Sequence, residues 1–166
     1  SCSAERSPAH PGDSVDSGPG LPPSTLAPEG WALATGATPF GAPAEACPAT
    51  EYGVESGVFE GETDLCAFAV FTQPLPAAVA AGTPVAFVSW HLDLWALEAT
   101  TATVVLQIGE ERIYEDSFAV PGPEDVASIS ATVAGDHPAG TPAWWHVSNH
   151  GYNSYRLGDV ELGQAR

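Results

Sequence analysis

Lysine and methionine are absent from the sequence, and arginine occurs four times, at Arg6, Arg112, Arg156 and Arg166. Set against 21 Asp and Glu, this leaves a net charge of −17. Such a surface repels phosphate backbones, so nucleic acid is a poor partner. It also disfavours direct docking on anionic lipid. Long apolar runs are missing too. The densest, Pro84 to Leu97, is interrupted by His91 and Asp93 and falls short of the ~18 residues of a spanning helix. Helix caps and 3.6-residue periodicity are scarce. No glycine-rich phosphate loop, Gly-x-Ser-x-Gly elbow or Asn-x-Ser/Thr acceptor occurs, which removes the motifs of phosphoryl binding, the serine hydrolase elbow and N-glycosylation.

What is present favours strands. Hydrophobic residues make up 44% of the chain, enough for one core, and 16 Pro with 17 Gly imply frequent turns. Residues 1–29 hold six prolines, two leucines and no aromatic. They cannot bury enough apolar surface to offset ordering entropy and read as a linker. Asp13 and Asp16 lack the glycine and glutamate spacing of a calcium loop. From Gly30 to the end at residue 166 short apolar runs alternate with turn clusters such as Gly61-Glu62-Thr63-Asp64 and Pro121-Gly122-Pro123. The expected strands are Trp31–Ala34, Val54–Glu60, Cys66–Gln73, Pro84–Leu97, Ala102–Ile108, Arg112–Val120, Val126–Val133, Ala143–Asn149 and Ser154–Leu162. Leu75–Ala81 alone could make a helical turn. The fold class is all-β, a jelly-roll sandwich of about eight to nine antiparallel strands.

Period-two alternation assigns faces. In Pro84–Leu97 the set Ala86, Val88, Trp90, Leu92, Leu94 is uniformly apolar and is expected to face the core. That leaves His91, Asp93 and Trp95 on the other face. In Ala143–His150 the core set is Ala143, Trp145 and Val147, leaving Trp144, His146, Ser148 and His150. Ala102, Val104, Leu106, Ile108, Phe118 and Val120 continue the core.

Those leftover faces carry the candidate chemistry. Trp95 and Trp144 offer flat apolar surfaces for a sugar ring, and His91, Asp93 and His146 offer short polar partners for hydroxyls. Tyr152 and Tyr155, at the neighbouring turn, could form a rim. The bland alternative is that the tryptophans cover a second apolar layer. A second reading is a metal site: His91 and Asp93 stand about 6.6 Å apart on one strand face, and His146 would complete a set suited to zinc or copper. His150 joins only if the turn after Asn149 bends back. A third reading is an adhesion or structural surface without a small ligand. Catalysis is not expected, because Glu55, Glu60, Glu110, Glu111, Glu115 and Asp116 fall at turns and edges rather than opposed in a cleft.

Three cysteines invite a pair and a single. Cys47 and Cys66 enclose a loop and a short strand. They can either form a disulfide, stabilising by roughly 3 kcal/mol, or remain two buried thiols. Ser1-Cys2-Ser3 followed by Pro-, Gly- and Ser-rich sequence resembles the mature start of a bacterial lipoprotein, which implies lipidation at Cys2 and a membrane contact through the anchor alone. Both cysteine readings place the protein outside the cytosol, secreted or anchored. A monomer is expected.

The order of phrases from Gly30 to Leu162 resembles the galactose-binding-like jelly rolls, especially carbohydrate-binding modules of the family 4 and 9 type. The phrases are Gly30-Trp31, Gln73-Pro74, Ala81-Gly82-Thr83 with Phe87–Trp90, and Gly158-Asp159-Val160-Glu161-Leu162. The resemblance implies a non-catalytic glycan-binding module and a structural calcium. Gly158 replaces the first Asp of the family's closing pair, so Asp159 is the one calcium ligand carried over. Pro84 stands near the place of the family's usual Tyr.

Overall fold

The computed structural model describes residues 23–41, 47–149 and 151–163. Alternating apolar residues fold into twelve short strands: β1 (Ser24–Leu26), β2 (Ala32–Leu33), β3 (Tyr52–Glu55), β4 (Val58–Glu62), β5 (Phe68–Pro74), β6 (Pro84–His91), β7 (Thr100–Ile108), β8 (Glu111–Val120), β9 (Asp125–Thr132), β10 (Pro142–Ser148), β11 (Ser154–Leu157) and β12 (Val160–Leu162). A 3-10 turn at Pro28–Gly30 is the only helical element among the described residues. All strand pairs are antiparallel. A seven-stranded sheet runs β1-β12-β6-β11-β4-β3, with β9 also paired to β6. A five-stranded sheet runs β2-β5-β10-β7-β8. The chain crosses repeatedly between the two sheets, as a jelly roll requires.

Facing side chains of the two sheets make the core. Phe59 of β4 packs edge-on against Phe71 of β5 at 4.9 Å and Trp145 of β10 at 5.6 Å. Phe87 of β6 meets Tyr114 of β8 edge-on at 5.7 Å. Burying each such ring contributes about 2–3 kcal/mol, and offset and edge-on geometry adds to it. Ala102, Val104, Leu106, Ile108, Val120, Ala143, Trp145 and Val147 are all buried, as alternation predicts. The Cys47–Cys66 disulfide is formed, with Cα atoms 4.9 Å apart.

Several expectations fail for identifiable reasons. The face of β6 is reversed. Val85, Phe87, Ser89 and His91 point into the sandwich, where Phe87 and His91 meet Tyr114 and Phe118 of β8. Trp90 lies on the opposite face, level with Arg156 of β11 and Val126 of β9. Both sets are apolar for most of the strand, so counting favoured the set without His. An imidazole packed edge-on against a phenyl ring nevertheless fits a core. The strand also ends at His91, so Leu92 to Ala99 form a loop. Val54–Glu60 is not one strand, because Ser56-Gly57 turns it into the β3–β4 hairpin; Ser56 and Gly57 both have positive φ. Ser154–Leu162 is stepped: β11 and β12 both pair with β6, and the Gly158 N–H reaches the Val88 carbonyl at 3.0 Å. No helical turn forms at 75–81, where Val79 instead bridges to His137. Finally, β1 lies inside the stretch assigned to the linker. It pairs with β12 and buries Leu26 completely.

Candidate functional site

Three loops close one end of the sandwich: 63–67 between β4 and β5, 92–99 between β6 and β7, and, of the connection between β10 and β11, the described residues 149 and 151–153. The buried Thr63 ties two of them. Its N–H donates to the Asn153 carbonyl at 2.9 Å. Its hydroxyl donates to the Gly151 carbonyl at 2.8 Å and accepts from Asn149 Nδ2 at 3.1 Å and the Asn153 N–H at 3.2 Å. Asn153 then ties the third loop, its amide bonding both backbone groups of Trp95. Gly151 is required where these loops meet. A Cβ there would stand 2.2 Å from the Trp95 carbonyl oxygen, a distance no side chain tolerates. Glu51, itself buried, accepts the Leu65 N–H at 3.2 Å and fixes the outer wall.

Between these loops and the disulfide lies a cleft of about 860 Å³, within the range that small ligands fill. Its lining combines Leu65, Leu97 and Tyr152 with the carboxylates of Asp64 and Glu98 and the hydroxyl of Thr100. Leu97 is 85% exposed, Leu65 65% and Tyr152 60%. Trp95 stands beside Tyr152 with ring centroids 5.5 Å apart and planes 37° apart, and is 49% exposed. Four large apolar side chains are thus exposed together at one end of the domain. No lysine, arginine or histidine is among the described lining residues.

Of the residues nominated from sequence, Trp95 and Tyr152 come together here. The others do not. His91 is buried at the end of β6, its Nδ1–H donating to the Leu92 carbonyl at 2.8 Å and its ring 4.6 Å from Phe118 and 5.7 Å from Tyr155. Asp93 accepts the Glu124 N–H at 2.9 Å, which makes it a loop tie. Tyr155 is buried, and burial pushes its hydroxyl pKa well up. Trp144 and His146 lie on the outer face of the five-stranded sheet, opposite the buried Trp145 and Val147. Trp144 is level with Thr72 of β5 and Gln107 of β7. His146 is sandwiched between Phe40, stacked at 4.6 Å, and Phe68 at 4.5 Å, and its Nδ1–H donates to the Ala69 carbonyl at 2.9 Å. Burial lowers its pKa; the Ala69 carbonyl opposes this and Arg112 adds to it.

The zinc or copper set is therefore not assembled: His91 faces the core from one sheet, and His146 faces outward from the other. Among the described residues no three His, Cys, Asp or Glu side chains could hold one metal ion, and Asp159 has no such partners for calcium. His150 and Cys2 lie outside the described residues. Sequence reasoning missed Leu65, Leu97, Asp64 and Glu98. All four sit in loops, where periodicity carries no signal; only the placement of two leucines beside turn residues hints at exposure.

No family model matches the chain, and no curated protein sequence matches it. Among solved structures it is similar to a mutant of a family 29 carbohydrate-binding module, at 7% identity and TM-score 0.48 over 84% of this chain and 91% of that one. It is also similar to a family 4 carbohydrate-binding module, at 11% identity and TM-score 0.39 over 69% of this chain and 75% of that one. A third similar structure is an arabinose-bound α-L-arabinofuranosidase, at 10% identity and TM-score 0.41 over 82% of this chain and 22% of that one.

Proposed function

We propose that this chain is a non-catalytic glycan-binding module that holds its ligand in the end cleft, stacked on Trp95 and Tyr152. The observation that carries the reading is the pair of half-exposed rings, 5.5 Å apart, beside a cleft of about 860 Å³. Sugars present C–H faces that pack on such rings and hydroxyls that bond short acceptors. Asp64, Glu98 and Thr100 supply those acceptors. The loops are already pinned by Thr63 and Asn153, so little ordering entropy is left for the ligand to offset. The Cys47–Cys66 bond supports placement in an oxidising compartment, and a lipid on Cys2 would present the module as a monomer at a membrane surface.

Calorimetry with a panel of neutral oligosaccharides tests this. Trp95→Ala and Tyr152→Ala should each weaken binding by about 1–3 kcal/mol, the scale of one lost aromatic platform. Val54→Ala, exposed on β3, should not. A panel with no binder refutes the reading. A loss on Trp144→Ala instead would move the site to the outer face of the five-stranded sheet. The exposure of Leu65 and Leu97 favours a second reading, an adhesive contact through the same cleft, which would survive a panel without binders.

A further inference from the structure

We propose, resting on the glycan reading above, that the cleft selects sugars bearing a protonated amine over neutral sugars and rejects uronic acids. Two carboxylates, Asp64 and Glu98, line the cleft from different loops. Both are exposed, and neither has an ion-pair partner among the described residues. The two described arginines are committed elsewhere. Arg112 pairs with Glu115 on the edge strand β8, and Arg156 pairs with Glu60 on β11 and β4, Nη2 to Oε1 at 2.9 Å. Neither lines the cleft. The whole chain adds to the local field with a net charge of −17, and a cleft lined by one sign of charge concentrates ligands of the other.

Tyr152 lines the same cleft, and the Trp95 ring stands beside it. A cation over the face of Trp95 or Tyr152 is attracted by the ring quadrupole, and an ammonium donates to a carboxylate in a charge-assisted hydrogen bond. An oligosaccharide with free amines offers a partner to each group: a C–H face for the aromatic pair and an ammonium for Asp64 or Glu98. An N-acetylated sugar keeps the stacking and loses the charge. A uronic acid keeps the stacking and brings a carboxylate against two others, with no described cation to receive it.

The test is calorimetry of the intact chain with four tetramers of equal length: glucosamine, N-acetylglucosamine, glucose and a uronic acid, at a pH where the amine is protonated. Glucosamine should bind about fivefold tighter than the two neutral tetramers, the scale of a partly exposed ion pair, and the uronic acid should be weakest. High salt should compress the order. The Asp64→Asn, Glu98→Gln double variant, checked for an unchanged melting temperature, should lose more affinity for glucosamine than for glucose, so that the preference between them disappears. Equal affinities in the wild type, or a preference that the double variant retains, overturn the selectivity and leave the glycan reading standing. If none of the four binds, selectivity and glycan reading fail together.

Discussion

The side-chain amide of Asn153 grips both backbone groups of Trp95: the Trp95 N–H donates to Oδ1 at 2.6 Å, and Nδ2 donates to the Trp95 carbonyl at 2.9 Å. The two residues are 58 apart in sequence, so this clamp is what joins the 92–99 loop to residues 151–153. It explains how a large ring can stay half-exposed and still be positioned.

Asn153→Ala should therefore cost about 2–3 kcal/mol, since two bonds go and the buried backbone groups of Trp95 lose their partners. Thermal melting should drop by about 5–10 °C for a chain of this size, and affinity for any cleft ligand should fall as Trp95 loses its position. A variant that melts with the wild type would show that the clamp does not hold the loop.

The disulfide should matter to both stability and binding. It closes a 19-residue separation, for which chain entropy gives about 3 kcal/mol. It also joins Pro48 to the 63–67 segment, and Pro48 and Cys66 both line the cleft. Paired Cys47→Ser and Cys66→Ser substitutions should lower the urea midpoint and weaken ligand binding. Coincident unfolding curves for oxidised and dithiol-reduced protein would contradict this.

The two-sheet architecture was readable because one side of β7 and of β10 is uniformly apolar, with Ala102, Val104, Leu106 and Ile108 on β7 and Ala143, Trp145 and Val147 on β10, while the other side mixes Val105 and Trp144 with Thr103, Gln107, His146 and Ser148. β6 was not readable, because Ala86, Val88 and Trp90 look as core-like as Val85 and Phe87. Which set goes inward is decided by Tyr114 and Phe118 across the sandwich, contacts that no local pattern contains. The β1 strand was lost to composition: Ser24–Leu26 sits among prolines, and only its pairing with Val160–Leu162 makes it a strand. At the end cleft, the aromatic-rich run around Tyr152 supplies one lining ring. Its partner loops are joined to it by bonds such as Thr63 to Asn153, across 90 residues, and spacing arguments do not reach that far.

His146 should make the protein acid-sensitive. Its folded pKa lies below the usual 6.5, with burial the main cause. The unfolded chain therefore takes up a proton first, and stability must fall as the pH drops from 6.5 toward the folded pKa. Above 6.5 this group has no effect. His146→Gln should cost some packing between Phe40 and Phe68 at neutral pH, yet lose less on acidification than the wild type. A ring titration followed by NMR with a midpoint at or above 6.5 would contradict the argument.

Glu111 gives a second acid-labile contact at lower pH, at the start of β8. Burial would raise its pKa, but the Ala134 N–H, His137 and the Gly135 N–H together outweigh burial and hold it below 4.5. Its carboxylate accepts His137 Nε2 at 2.9 Å and the Gly135 N–H at 3.1 Å, tying the β8 start to the 134–137 turn. A lowered carboxylate pKa stabilises the fold fully above the unfolded value and loses that contribution as the pH falls through the folded one. Glu111→Gln should therefore destabilise by about 1–2 kcal/mol at neutral pH, as charge-assisted bonds become neutral ones. The gap to wild type should narrow as the pH falls below 4.5 and close once it has passed through the folded pKa, where both side chains are uncharged. Urea unfolding at neutral and acid pH measures the gap directly. A gap that stays constant across that range would mean the Gln variant loses packing rather than charge, and the carboxylate would then have no part in holding the turn.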